Sequence, residues 1–236
     1  MWIKICANTN LEDVRMAADA GADAVGFVFA PSVRRVTAGQ VAAIAAELPQ
    51  DLLKIGVFNT QNFEEIVFAL HTAGLNGVQL HGELDFQLAE KLRNEFGAGF
   101  FLIQTLHWDL GSDPSRASSR LRNELRAVAR HSDIDAVLVD TRTTTGNGGT
   151  GRAFDWESAA QALSDNAGDM RIIVAGGLDP WNVADAIHTL RPWGVDVASG
   201  VELHRGQKDP VRLTTFIRTA RSVSAQIVAP PSGPTT

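Results

Sequence analysis

The chain has a single cysteine in 236 residues, so no intrachain disulfide can form, which fits a reducing compartment. It lacks any apolar run approaching the roughly 18 residues that span a bilayer. Its start, Met1-Trp2-Ile3-Lys4, lacks the basic region and apolar stretch of a secretory signal. An excess of positive charge is missing as well: 21 Lys and Arg against 27 Asp and Glu leave a formal charge of −6. A nucleic-acid surface would be basic, so the balance argues against that partner. The expectation is a cytoplasmic, monomeric protein with no membrane or nucleic-acid partner. An anionic small molecule stays open, because backbone dipoles can hold one on an acidic protein. Several enzyme signatures are absent too. The six histidines are scattered, none sits in His-Glu-x-x-His, and the cysteine has no second cysteine near it, so no metal site is expected. There is no Gly-x-Ser-x-Gly nucleophile elbow.

What is present is a regular alternation of short apolar runs with longer amphipathic ones. Strands read at 3–6, 24–28, 53–57, 77–80, 100–103, 136–140, 171–175 and 195–198. Helices read at 11–20 (Asn10 as N-cap, Gly21 at the exit), 41–48, 63–73 closed by Gly74, 84–96, 119–130, 183–190 and 210–223, with one more after Asp155 as cap. Residues 107–117 read as a polar loop. About eight β–α units with no visible linker predict an α/β fold, a single (β/α)8 TIM barrel over residues 1–223; an open doubly wound sheet is the alternative. Residues 224–236, rich in Pro, Ser and Thr, read as a flexible C-terminal tail.

In a parallel barrel the chemistry gathers at the C-terminal ends of the strands. Ile3 and Ile5 read as one buried face of the first strand, which turns Lys4 and Cys6 inward and leaves Cys6 at the mouth. Strand four ends with Gln79 and His81, and strand six ends with Asp140, a carboxylate that needs a polar cavity. Arg34 and Arg35 follow strand two. Glycine clusters follow strands seven and eight, Ala175-Gly176-Gly177-Leu178 and Ser199-Gly200-Val201-Glu202, where barrels commonly bind phosphate on backbone N–H groups. Gly146-Asn147-Gly148-Gly149-Thr150-Gly151 matches Gly-x-Gly-x-x-Gly, but Thr141 to Thr145 separate it from the strand, and no Lys-Ser/Thr follows for a P-loop. It reads as a loop closing over a ligand, or as a plain flexible connection.

These stretches together resemble the phosphoribosylanthranilate isomerase family of tryptophan biosynthesis. The resemblance rests on Lys4-Ile5-Cys6, residues 21–29, Gln79-Leu80-His81-Gly82, Gly148-Gly149-Thr150-Gly151 with Phe154-Asp155-Trp156, Ala175-Gly176-Gly177-Leu178, and residues 194–197 with Ser199-Gly200-Val201-Glu202. In order, they cover residue 3 to about residue 221. The resemblance implies a barrel enzyme that isomerises an aminoaldose to an aminoketose without cofactor or metal. It implies Cys6 as general base, with a lowered pKa or a proton lost on substrate binding, and Asp140 as general acid. Arg34 is implied to meet the anthranilate carboxylate. Gly176, Gly177, Ser199 and Gly200 are implied to cradle the phosphate, with Gln79, His81, Gly149, Thr150 and Asp196 as further substrate contacts. The pattern departs at Ala7, where the family usually has glycine, and at Arg35, where an aromatic is common. Residues 107–122 look longer than the usual connection.

Overall fold

The computed structural model describes residues 1–109, 113–142, 156–166 and 168–228. Eight parallel strands close into a barrel in sequential order: β1 (Trp2–Ile5), β2 (Ala24–Val28), β3 (Leu53–Phe58), β4 (Gly77–Leu80), β5 (Phe101–Asp109), β6 (Ala136–Arg142), β7 (Arg171–Val174) and β8 (Gly194–Val197). Closure is made by β1 pairing with β8, which sets Lys4 opposite Asp196. Around the barrel run α1 (Leu11–Asp19), α2 (Ala38–Ala45), α3 (Phe63–Ala73), α4 (Phe86–Phe96), α5 (Pro114–Val128), α6 (Trp156–Ser164), α7 (Val183–Leu190) and α8 (Pro210–Val228). Among the described residues no helix is long and apolar enough to cross a membrane.

The period of two decides what each strand buries where. Ile3, Ile5, Val25, Phe27, Val137, Val139 and Val195 point outward into the layer shared with the helices. Ala24, Ile55, Ile103, Leu138 and Ile173 fill the barrel interior. Below them the floor is aromatic: Trp2 stacks on Trp193 at 5.1 Å, and the Arg171 guanidinium lies 5.2 Å from the Trp193 ring. Above them Cys6, Ala7 and Val57 form a small cluster at the mouth. Helix starts follow capping chemistry. Asn10 accepts from the Asp13 N–H, Asn62 from Glu65, Asp85 from Leu88, and Thr37 with Gln40 makes a capping box.

Besides shifts of one to three residues at several ends, among them α2, which stops at Ala45 rather than 48, three larger differences separate the structure from the sequence reading. The polar loop over 107–117 is instead the end of a long strand and the start of a helix. β5 continues through Asp109 because Trp108 is buried against the outer layer and the strand pairs with β6 as far as Asp109↔Arg142. α5 starts at Pro114, capped by Asp113. A hairpin, β9 (Glu202–His204) and β10 (Gln207–Lys208), stands between β8 and α8 and has no counterpart in the reading. Finally α8 runs to Val228, past residue 223. The glycine-rich stretch 146–151 and Asp155 lie outside the described residues.

Ala7 holds φ +62°, in the left-handed region, and is 3% exposed. Two neighbours impose that turn: the Cys6 carbonyl accepts a hydrogen bond from Lys208 Nζ at 2.6 Å, and the Asn8 N–H donates to the Gly26 carbonyl at 2.9 Å. A left-handed alanine costs about 1–2 kcal/mol, whereas the added freedom of an unfolded glycine costs about 0.4–1 kcal/mol. Ala7→Gly is therefore expected to raise the urea midpoint at unchanged slope, by up to about 1 kcal/mol of stability. A loss of stability would show that the methyl group does more in packing than it costs in strain.

Candidate active site

Among the described residues, β1 and β8 each carry a charge into the barrel interior next to the lone thiol. Lys4, fully buried, donates to Asp196 Oδ1 at 3.0 Å. Its charge also bears on the Cys6 side chain. Burial works against the Lys4 charge, but Asp196 and Cys6 outweigh it, and its pKa is raised. At Cys6 the balance falls the other way. Burial pushes the thiol up, and the Lys4 charge opposes that without overcoming it. Of the two routes the resemblance implies, loss of the proton on substrate binding is left, since a lowered pKa does not fit the free protein. The cause is depth: the sulfur sits among Ala7 and Val57 and is largely cut off from water. Room for it comes from Gly26, where a Cβ would lie 2.7 Å from Cys6 Sγ and 3.1 Å from Lys4 Cε.

The mouth opens into a cavity of about 470 Å³. The structure brings nine of the sequence-derived residues to its wall: Cys6, Arg34, Gln79, His81, Asp140, Gly176, Gly177, Asp196 and Ser199. Gly149 and Thr150 lie outside the described residues. Gly200 is not on the wall. Its missing side chain has a packing reason, because a Cβ there would collide with the Leu178 carbonyl oxygen. Gly200 is what lets the loop after β8 lie flat against the loop after β7. In that second loop Gly176 and Gly177 hold φ +86° and +69°, turning their backbone toward the cavity.

Arg34 does not stand alone. Its Nε and Nη2 donate to Glu202 Oε1 and Oε2 at 2.7 and 2.6 Å, a bidentate pair. Glu202 lies in β9, and its other neighbours are Lys208 Nζ at 3.7 Å and the Gly206 N–H at 3.4 Å. Lys208 is itself buried. Its ammonium donates to the carbonyls of Cys6 at 2.6 Å and Ala198 at 3.0 Å, so one side chain ties the end of β1 to the end of β8. Burial lowers its pKa, with the Glu202 charge opposing. On the far wall Gln79 donates to Thr105 Oγ1 at 3.1 Å, and His81 Nε2 lies 3.9 Å from Asp140 Oδ2. Sequence reasoning assigns no role to Lys4, Glu202 or Lys208. Lys4 carried a signal, a charge on the inward face of a buried strand. Glu202 sat inside a stretch already read for its glycines.

An enclosed thiol beside a cation, a carboxylate across the cavity and a glycine-lined end suit proton transfer on a small molecule. Comparison with known proteins points the same way. Residues 3–219 match the family model described as N-(5'-phosphoribosyl)anthranilate (PRA) isomerase. The chain is 39% identical over 226 residues to the N-(5'-phosphoribosyl)anthranilate isomerase of Pelobacter propionicus, covering 95% of this chain and 97% of that one. The crystal structure of phosphoribosyl anthranilate isomerase from Thermotoga maritima superposes with a TM-score of 0.80 at 34% identity, covering 94% and 99% of the two chains. A phosphoribosyl anthranilate isomerase solved with reduced 1-(o-carboxyphenylamino)-1-deoxyribulose 5-phosphate gives 0.75 at 33% identity, again over 94% and 99%.

The seam at Gly200 can be tested before any chemistry. Gly200→Ala is expected to weaken ribose 5-phosphate binding at least about 10-fold, since an ångström of loop displacement is enough for effects of that size. Circular dichroism should stay unchanged. Unaltered affinity in a folded variant would show that the two loops do not share one anion site.

Proposed function

This chain belongs to the N-(5'-phosphoribosyl)anthranilate isomerase family, and we propose that within its barrel Cys6 acts as the general base and Asp140 as the general acid. The enzyme is an aldose–ketose isomerase of tryptophan biosynthesis. It converts N-(5-phosphoribosyl)anthranilate to 1-(2-carboxyphenylamino)-1-deoxyribulose 5-phosphate by acid–base catalysis. The observation that carries the assignment is the shared cavity: a thiol against a buried cation on one wall and a carboxylate on another, under one glycine-lined end.

The chemistry needs one proton placed and another removed. Asp140 gives its proton to the furanose ring oxygen, and the anthranilate nitrogen lone pair expels that oxygen from C1. The ring opens to an iminium ion. That cation acidifies the C2 proton, which the Cys6 thiolate takes, leaving an enolamine that tautomerises to the ketone. The reactive form thus holds its proton on Asp140 and none on Cys6. Burial makes the thiolate scarce in the free protein, and two cations favour it when it is needed. Lys4 is fixed beneath it, and the iminium forms above it.

The ends of the substrate are held apart from the reacting carbons. Gly176, Gly177 and Ser199 present backbone to the phosphate, with Gly200 closing the seam behind them. Arg34, oriented by Glu202, receives the anthranilate carboxylate on its remaining donors. Gln79, His81 and Asp196 line the ribose region between. A free, functional thiol accords with a reducing cytoplasm.

Cys6→Ser and Asp140→Asn are each expected to lower kcat by about 10²-fold or more, the scale of a positioned acid–base group. Binding of the reduced product analogue should change little, because neither residue holds phosphate or carboxylate. Near-normal turnover by folded Cys6→Ser would overturn the base assignment, and the same result with Asp140→Asn would overturn the acid.

A further inference from the structure

The longer β5 has a chemical consequence at the mouth. Its pairing with β6 sets His107 directly beside Asp140, and His81 follows β4 on the other side. One ligand atom from each of His81, His107 and Asp140 lies within 4.8 Å of the other two. His81 Nε2 is 3.9 Å from Asp140 Oδ2, and the two imidazoles meet edge to face with centroids 4.9 Å apart. His107 Nε2 is 3.0 Å from the His81 carbonyl oxygen. A carbonyl can only accept, so that nitrogen carries a hydrogen, and in the neutral ring the lone pair is on Nδ1. A backbone carbonyl that fixes the tautomer in this way is the usual outer-shell support of a metal-binding histidine. His81 and Asp140 line the 470 Å³ cavity, which gives an ion a route in from solvent.

Two imidazoles and one carboxylate are a nitrogen-rich set that favours zinc and its neighbours over magnesium or calcium. Ligand distances of about 2.0–2.2 Å around a tetrahedral ion put the donor atoms about 3.3 Å apart. From 3.9 Å, His81 and Asp140 reach that spacing by less than an ångström of side-chain movement. We propose that a divalent transition metal, zinc foremost, binds at His81, His107 and Asp140 and reversibly inhibits the enzyme. The ion takes the Asp140 oxygens that would otherwise carry the proton to the ring oxygen. The site stands on geometry alone; the inhibition rests on the acid role of Asp140 given above. Three protein ligands leave a coordination position to water, and the ion and substrate compete for one wall of the cavity.

Untagged enzyme is titrated with Co²⁺ as a spectroscopic probe and with Zn²⁺ in a turnover assay, with EDTA added at the end. Wild type should develop the visible absorption of low-coordinate cobalt without a sulfur-to-cobalt charge-transfer band. Zinc should abolish turnover and EDTA restore it. His107→Ala should match wild-type turnover without metal, lose the cobalt spectrum, and need at least about 10-fold more zinc for half-inhibition. A sulfur-to-cobalt band would put the metal on Cys6 and overturn the site. Equal zinc sensitivity in wild type and His107→Ala would overturn it as well. A cobalt spectrum dependent on His107 without loss of turnover would overturn the inhibition. Metal-free turnover of Asp140→Asn reports the acid role separately, so the two ideas can fail independently.

Discussion

The structure depends on an ion pair placed where charges are hard to keep. Lys4 and Asp196 face each other across the β1–β8 closure with 3.0 Å between nitrogen and oxygen, inside the barrel and almost without water. Removing either charge from water costs several kcal/mol, and the pair offsets that only because each finds the other in good geometry. Such a pair contributes little net stability. Its value is positional, since an inward lysine and an inward aspartate can be satisfied only if β1 and β8 close in this register. That closure is also what completes the barrel. The same lysine then stands under Cys6, so the strand that seals the fold delivers a fixed cation to the thiol.

A second buried lysine works from above. Lys208, carried on the β9–β10 hairpin, binds the carbonyls at the ends of β1 and β8 and lies near the Glu202 carboxylate that grips Arg34. Cys6, the glycine loops and Arg34 therefore share one framework. The cost shows up at a single residue, Ala7, whose left-handed backbone lets the Cys6 carbonyl turn toward Lys208. Glycine accepts that conformation freely, which gives a physical reason for the residue the family usually has there.

Much of this was legible in the sequence because barrel strands bury both faces and helices announce their ends. The eight units, the Asn10 cap, the left-handed Gly74 and the inward face of the first strand follow from period and capping alone. Cys6 and Asp140 stood out as polar groups at the ends of apolar strands. What stayed hidden depends on contacts between distant segments. The 107–109 stretch looks polar, and only pairing with β6 and the burial of Trp108 hold it as strand. His81, His107 and Asp140 are too far apart in the chain to form a spacing motif, yet adjacent strands line them up. Glu202 and Lys208 belong to a short hairpin whose charges make sense only once Arg34 and the Cys6 carbonyl are beside them. Sequence also shows that Gly200 lacks a side chain but not that the Leu178 carbonyl fills the gap.

Burial pushes the thiol up, and Lys4 keeps it within reach of ionisation. Cys6 is the only cysteine, so the pH dependence of its alkylation by iodoacetamide reads it alone. The charged groups bearing on it are Lys4, Asp196 and Lys208. In the wild type the inflection should fall above the ordinary thiol value of about 8.5. Replacing the pair together, Lys4→Met with Asp196→Asn, avoids an orphaned charge and should move the inflection higher still, with circular dichroism confirming the fold. A wild-type inflection at or below about 8.5, or one that the double replacement leaves in place, would contradict the account.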